Sequence, residues 1–369
     1  MAQDNQAQDP NAQFSGTMPV ASRQQFDVAA LQEYLKDKLP DTKGDLTVEQ
    51  FKGGQSNPTF RLKWGDRFYV MRSKPGPAAK LLRSAHAIDR EFRIINALAG
   101  SEVPVPEAYC LCEDESVIGR AFYIMDCVQG RVMWDQSLPD MSNAERSAIY
   151  DEMNRVLAAL HQIDYKAIDM ESFGRPGNYF ERQINRWTTQ YRASETEKIP
   201  AMDQLMEELM AWLPENIPAG EESSLVHGDF RLDNLMFAKD SPKALAVLDW
   251  ELSTVGHPLA DFSYHCMGYH INPGVSRGIG GLDHAALGIP TEQEYIARYC
   301  ERTNRDGIEN WDFYLAYNMF RLAGILQGIV KRVVDGTAAN ESAKEAGART
   351  RPLAELGWAI AQKSIAKQG

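Results

Sequence analysis

The chain has 369 residues, 24% of them charged and 44% hydrophobic, and 51 acidic against 39 basic side chains give a formal net charge of −12. A disordered chain would be poorer in apolar residues, and five cysteines are too few for a disulfide scaffold. The acidic surplus excludes nucleic acid or an anionic membrane as the main partner, since both select a basic face. The length predicts two domains, or two lobes around a cleft.

Residues 1–25 are rich in Ala, Gln, Asn and Asp and carry neither a basic nor an apolar leader segment, so a disordered tail is expected. From Asp27, a helix is predicted with Val28, Leu31, Tyr34 and Leu35 on one face, ending at Leu39-Pro40. Three strands follow, at 46–51, 59–64 and 68–73, joined by Gly53-Gly54-Gln55-Ser56-Asn57-Pro58 and by the turn Gly65-Asp66. Residues 84–98 read as a helix with Ile88, Phe92, Ile95 and Leu98 on one side, and two more strands are predicted at 108–112 and 121–125.

Past Cys127-Val128-Gln129-Gly130 the pattern turns helical. A helix over 142–162 opens with Ser142 and has Glu145 three residues on, and others are predicted at 178–192, 201–212, 291–303, 311–334 and 352–367. One hairpin, 232–237 with 244–248, interrupts them. The five cysteines, Cys110, Cys112, Cys127, Cys266 and Cys300, form no CxxC pair, and no apolar run approaches 18 residues. A reducing, cytoplasmic compartment without a membrane span is the expectation. The predicted class is α+β: a five-stranded antiparallel sheet with one helix over 26–126, then a mainly helical part with one hairpin over 127–369.

The segment Leu225-Val226-His227-Gly228-Asp229-Phe230-Arg231-Leu232-Asp233-Asn234-Leu235 carries the chemistry, and Val247-Leu248-Asp249-Trp250-Glu251 follows it. A loop thus holds one carboxylate, an amide stands five positions on, and a hairpin delivers a second carboxylate. Phosphoryl transfer to a hydroxyl needs these groups. One Asp orients the hydroxyl and accepts its proton, while an Asn and another Asp bind the magnesium that bridges the phosphates. The Asp-to-Asn interval matches the protein-kinase pattern H-R-D-L-x-x-x-N. An isolated His-Gly-Asp is a turn in any loop; the interval and the second Asp at a strand end distinguish this one. Asp229 is therefore the candidate base, and Asn234 and Asp249 are the candidate metal ligands. Arg231 is open between stabilising charge on the transferred phosphoryl and pairing with a nearby carboxylate.

These segments, with YVMRSKP, LLRSAHAIDREFRI and VLDWELSTVGHPLADFSY, resemble the aminoglycoside phosphotransferase family of kinase-like enzymes. The likeness spans roughly residues 27–340 and is nearest to the kinase-like domain that precedes acyl-CoA dehydrogenase modules in larger proteins. Only about 30 residues follow it here, too few for such a module. The resemblance implies a bilobal protein-kinase-like fold, ATP or GTP as donor, Mg2+ as cofactor, and a hydroxylated small molecule as acceptor. Hydroxyacyl-CoA, aminoglycoside-like and choline-like alcohols are the acceptor classes it suggests, and the helical lobe would select among them.

It further implies a nucleotide lobe in which the loop Gly53, Gly54, Ser56 and Asn57 approaches the phosphates, small residues allowing close backbone approach. On the third strand, Val70 and Arg72 share a face as in the kinase V-A-I-K pattern, with Arg where Lys is expected and Lys74 as the alternative cation. Glu91 on the following helix is the candidate partner of that cation. Backbone groups at Asp126 and Val128 are expected to meet the purine. By the same resemblance His227 braces the loop, and Asp261 is a buried helix-capping or loop-bracing residue. The Gly-rich stretch 265–290 is either a cover for the acceptor pocket or a flexible connector. Two other functions stay open: a catalytically inactive nucleotide-binding module, motivated by Arg72 and by the plain Gly53-Gly54 loop, and a protein kinase, for which D-F-G and A-P-E landmarks are missing.

Overall fold

Strands β1 (Thr17–Met18), β2 (Leu46–Phe51), β3 (Thr59–Trp64), β4 (Arg67–Ser73), β5 (Ala108–Cys112) and β6 (Phe122–Asp126) form one antiparallel sheet in the order β1-β2-β3-β4-β6-β5. In β3 the alternation is explicit: Phe60, Leu62 and Trp64 are buried, while Arg61 and Lys63 between them are not. The sheet belongs to a computed structural model that describes residues 16–40, 42–52, 57–76, 87–195, 203–336 and 347–368.

Six strands replace the five expected. The added strand pairs Thr17 with Phe51 and Met18 with Gln50, inside the stretch expected to be a tail. A two-residue edge strand has no hydrophobic period to read; it is held by backbone pairing and by Thr17 Oγ1 donating to Glu49. Residues 24 and 25 are tied down as well, because the Arg120 guanidinium donates to Gln24 Oε1 and to the carbonyls of Gln24 and Gln25.

Helix α1 (Val28–Leu35), capped by Asp27 accepting from the Ala30 amide, lays Leu31 and Leu35 on Phe60, Leu62, Tyr69, Met71, Phe122 and Ile124. Each fully buried side chain of this kind contributes about 1.5–3 kcal/mol. Because side chains alternate along β4, Tyr69 and Met71 enter that core while Val70 and Arg72 face the other side. Helix α2 (Ile88–Ala97), with Ala87 at its N-cap, lies within the helix expected at 84–98, of which 84–86 fall outside the described residues.

A hairpin of β8 (Leu235–Phe237) and β9 (Ala244–Val247) joins this unit. Phe237 and Arg131 exchange backbone hydrogen bonds, and the Val247 amide donates to Pro104 O. The first unit is therefore the chain up to Trp134 together with Leu232–Ser253; Asp135–Arg231 and Thr254–Gly369 make the second. The expected lobe boundary at 126/127 falls inside the first unit.

The second unit is built of α3 (Asn143–Gln162), α4 (Tyr179–Ser194), α5 (Asp203–Glu215), α6 (Pro258–Cys266), α7 (His284–Leu287), α8 (Glu292–Arg302), α9 (Trp311–Val334) and α10 (Thr350–Gln368). The capping box at Ser142 and Glu145 is present in full, each side chain accepting from the other's amide. A second two-stranded sheet pairs β7 (Ser224–Val226) with β10 (Thr254–Gly256). Three-residue strands are too short for period-2 reading, so the sequence suggested one hairpin where there are two strand pairs. The stretch 265–290 is stitched to itself: Ile279 N donates to Gly268 O and Gly280 N to Ile271 O. A Cβ at Gly278 would come within 2.1 Å of Ile271 O, so only glycine allows that packing.

Helix α6 starts at a buried histidine. His257 Nδ1 accepts from the Leu259 amide, and burial lowers its pKa from 6.5 to about 4. In the unfolded chain the ring binds its proton near 6.5, in the folded chain only near 4. The stability it contributes is complete above 6.5 and is lost as pH falls through 4, at up to about 1.4 kcal/mol per pH unit. His257→Asn keeps a capping acceptor without the titration, so its urea midpoint should fall less than that of the wild type between pH 7 and 4. Parallel curves would contradict this.

Candidate functional site

In the first unit, the register of β4 against β6 sets Arg72 opposite Tyr123. The Arg72 guanidinium spans two acids: Nε lies 2.8 Å from Glu91 Oε2 of α2 and Nη2 donates to Asp249 Oδ1 at 2.6 Å, with Glu251 at 3.6 Å. Glu91 is 1% exposed and also accepts from Asn57 Nδ2 (2.8 Å) and Tyr123 Oη (3.1 Å). Burial raises the Glu91 carboxyl to about 7, opposed by Arg72 and reinforced by Asp249 and Glu251. Burial also works against the Arg72 charge, yet Glu91 and Asp249 hold its pKa above the ordinary value.

Asp249 ends the hairpin in the left-handed region, at φ 63° and ψ 58°, which Asp tolerates better than most residues. Asn234 is next to it in space: the Leu248 amide donates to Asn234 O at 2.8 Å, and the Asn234 side chain is buried. A positive φ at a non-glycine residue is a strained feature typical of functional loops.

The other predicted residues of this unit are placed as follows. Val70 is buried beside Arg72 on β4, and Asp126 closes β6 with its amide taken by Glu107 O. Val128 stands two residues on, in the irregular stretch after β6. Asn57 is fully buried on Glu91. Gly53, Gly54 and Ser56 lie outside the described residues. Of the two cations left open by the sequence, Arg72 is the one that meets Glu91; the Lys74 amide donates to Ala121 O beyond the strand end.

In the second unit, the His-Gly-Asp loop is fixed from beneath. Asp261 of α6 accepts from the His227 amide (2.6 Å) and the Gly228 amide (2.8 Å), and His161 Nε2 lies 3.3 Å from the same carboxylate, its Nδ1 on Tyr299 Oη at 2.7 Å. Burial alone would raise the Asp261 carboxyl, but these donors hold it below its usual value. Gly228 has φ 83°, a conformation that favours glycine. The fully buried His227 accepts the Asp229 amide on Nδ1, the bracing role that the resemblance implies.

The Asp229 carboxylate meets Arg231, whose Nε is 3.3 Å from Oδ1, so Arg231 pairs with the candidate base. Sequence reasoning missed two further neighbours. Tyr264 Oη donates to Asp229 Oδ1 at 2.5 Å, and Arg321 of α9 donates to Gly228 O at 2.8 Å. The signal for Tyr264 was its spacing: three residues after Asp261 puts it on the same helix face. Arg321 read only as part of a packed helix. Among the described residues no helix is long and apolar enough to cross a membrane, and no group of three or more His, Cys, Asp or Glu side chains could hold a metal.

The profile of the family described as "Phosphotransferase enzyme family" matches residues 47–305. Acyl-CoA dehydrogenase family member 10 of Mus musculus is 46% identical over 94% of this chain, and probable acyl-CoA dehydrogenase IBR3 of Arabidopsis thaliana is 42% identical over 94%. The chain spans only 32% and 44% of the lengths of these two relatives. A crystallised Ralstonia eutropha protein assigned to the aminoglycoside phosphotransferases is 60% identical, with a TM-score of 0.85 over 92% of this chain and 99% of that one. Aminoglycoside phosphotransferase APH(4)-Ia in a ternary complex with ADP and hygromycin B shares the fold, at 19% identity and a TM-score of 0.57 over 89% of this chain and 99% of that one. With the family's matched span covering most of the chain and a kinase-like fold around an intact His-Gly-Asp loop, the chain belongs to the aminoglycoside phosphotransferase family of phosphotransferase enzymes.

Proposed function

We propose that the protein transfers the γ-phosphoryl group of ATP or GTP to a hydroxyl of a small molecule, with Mg2+ as cofactor and Asp229 as the base. The supporting observation is the Arg72 guanidinium spanning Glu91 and Asp249. A lone structural ion pair has no need to join a strand Arg, a helix Glu and the Asp that follows a hairpin. Phosphoryl transfer needs a fixed cation beside a metal-binding carboxylate. The inactive-module alternative drew on Arg72 replacing a lysine; a guanidinium that engages both partners weighs against it.

Asn234 and Asp249 present an amide oxygen and a carboxylate, the hard oxygen donors that magnesium prefers, and the strained Asp249 backbone aims its side chain from a hairpin anchored on Pro104. These two residues would hold the ion, which when bound offsets charge on the phosphate oxygens. Arg72 would grip a donor phosphate, its carboxylate partners fixing the fork in one orientation. Asp229 would orient the acceptor hydroxyl and take its proton, and Arg231, paired with it, would offset negative charge on the transferring group. Positions of the purine near Asp126 and Val128, and of phosphates near 53–56, follow the family layout. APH(4)-Ia, a relative in fold, was captured with ADP and hygromycin B, a nucleotide and a hydroxylated small molecule.

The test is a screen of hydroxylated metabolites, including hydroxyacyl-CoA, aminoglycoside and choline-like alcohols. Each is incubated with ATP or GTP, with and without Mg2+, and the products are read by mass spectrometry. A phosphorylated product that requires both nucleotide and Mg2+ is expected. Nucleotide binding with no product across the panel would favour the binding module.

A further inference from the structure

Asp229 has a neighbour that the loop motif does not supply. Tyr264, buried on α6, donates its phenol proton to Asp229 Oδ1 at 2.5 Å. One turn earlier on that helix, Asp261 takes the amides of His227 and Gly228. A single helix therefore fixes the backbone of the loop through one side chain and its carboxylate through another. The Tyr264 ring is itself held: the Arg321 guanidinium lies 5.0 Å from its centroid and donates to Gly228 O at 2.8 Å. Burial, and next the Asp229 carboxylate, push the phenol above its usual range, so it stays a donor at neutral pH. The charged and titratable groups facing Asp229 include Arg231 on its own loop, Tyr264 on α6, and Arg321 on α9 through the Tyr264 ring.

A carboxylate has two equivalent oxygens and turns readily about its last bond, whereas a base in group transfer must offer one lone pair in one direction. We propose that Tyr264 is the positioning residue of the candidate base: its hydrogen bond to Oδ1 fixes the plane of the carboxylate that meets the acceptor hydroxyl. In the step it serves, the acceptor O–H bond breaks and its proton passes to the Asp229 carboxylate. The acceptor oxygen bonds to phosphorus, and the P–O bond to the nucleoside diphosphate breaks. Tyr264 keeps its proton throughout. The inference rests on the reading of Asp229 as base, and goes beyond it by assigning a residue the motif lacks.

Two measurements on the full chain test it. With tyrosine labelled by carbon-13 at Cζ and the Tyr264 signal assigned from Tyr264→Phe, that signal should follow protonation of Asp229 in an acid titration and lose this response in Asp229→Asn. A Tyr264 signal with the same titration in both proteins would overturn the contact. Steady-state phosphate release from Mg-ATP, with water as acceptor, is then compared across pH. Tyr264→Phe should lower kcat about 10- to 100-fold, the range of a hydrogen bond to a charged group, with KM for ATP unchanged. Its acid limb should move to higher pH, since a carboxylate that loses a donor is protonated more easily. Tyr264→Phe with wild-type kcat and pH profile, beside an inactive Asp229→Asn, overturns the role of Tyr264 alone. Wild-type turnover in Asp229→Asn overturns the base assignment and the inference with it.

Discussion

Replacing Asp229 by Asn is expected to lower phosphotransfer about 1,000-fold while leaving nucleotide affinity within a few-fold of wild type, the size expected for losing a general base. That loss corresponds to about 4 kcal/mol of transition-state stabilisation. The substitution is nearly isosteric, so the loop should persist: the Asp229 amide still donates to His227, and Asp261 still holds the His227 and Gly228 amides. Tyr264 can go on donating to the amide oxygen. Only the capacity to accept a proton is gone, along with the ion pair to Arg231. The Arg72 contacts with Glu91 and Asp249, groups proposed for phosphate and metal, do not involve Asp229. Isothermal titration with nucleotide and Mg2+, beside steady-state rates, separates the two effects. Turnover within about threefold of wild type would remove Asp229 from the role of base; lost nucleotide binding would mean that the substitution had damaged more than the base.

The sequence carried the parts of this site that are linear. His227, Gly228, Asp229 and Asn234 stand in one short loop whose interval is diagnostic, and Asp249 follows a hairpin whose alternation is readable. The β4 register was legible too, because Val70 and Arg72 are two apart on one strand. Which cation meets Glu91 was left between Arg72 and Lys74. The answer depends on where the strand ends and how it pairs with β6, and period alone does not fix either. Tyr264 and Arg321 were beyond reach for another reason. Their contacts with Asp229 and Gly228 cross 35 and 93 positions of chain and exist only because two helices pack beside the loop. The strands Thr17–Met18, Ser224–Val226 and Thr254–Gly256 escaped because two or three residues give no hydrophobic period; their pairing is backbone geometry.

Arg72→Met should damage stability and activity together, and a second substitution should separate them. The Arg72 side chain is 12% exposed and the Glu91 side chain 1%, so the pair is out of water. Removing one partner leaves the other buried and uncompensated, which costs about 3–5 kcal/mol. For a unit of this size that is a fall in Tm on the order of 10 °C. Asp249 loses its hydrogen bond as well, at the point where its left-handed backbone needs support. The double variant Arg72→Met with Glu91→Gln removes the stranded charge. The amide introduced by Glu91→Gln keeps one oxygen, which can accept from Asn57 Nδ2, and its NH2 can donate to Tyr123 Oη, a hydroxyl that accepts as well as donates. The Tm of the double variant should recover most of the loss, since a buried ion pair replaced as a whole is often neutral or stabilising. Phosphotransfer should not recover, because the proposed phosphate-gripping cation is absent from both proteins. Thermal unfolding and phosphotransfer rates of wild type, both single variants and the double variant form the cycle. If activity returned with stability in the double variant, the Arg72–Glu91 pair would be a structural ion pair, and the phosphate role would have to pass to another cation, Lys74 first.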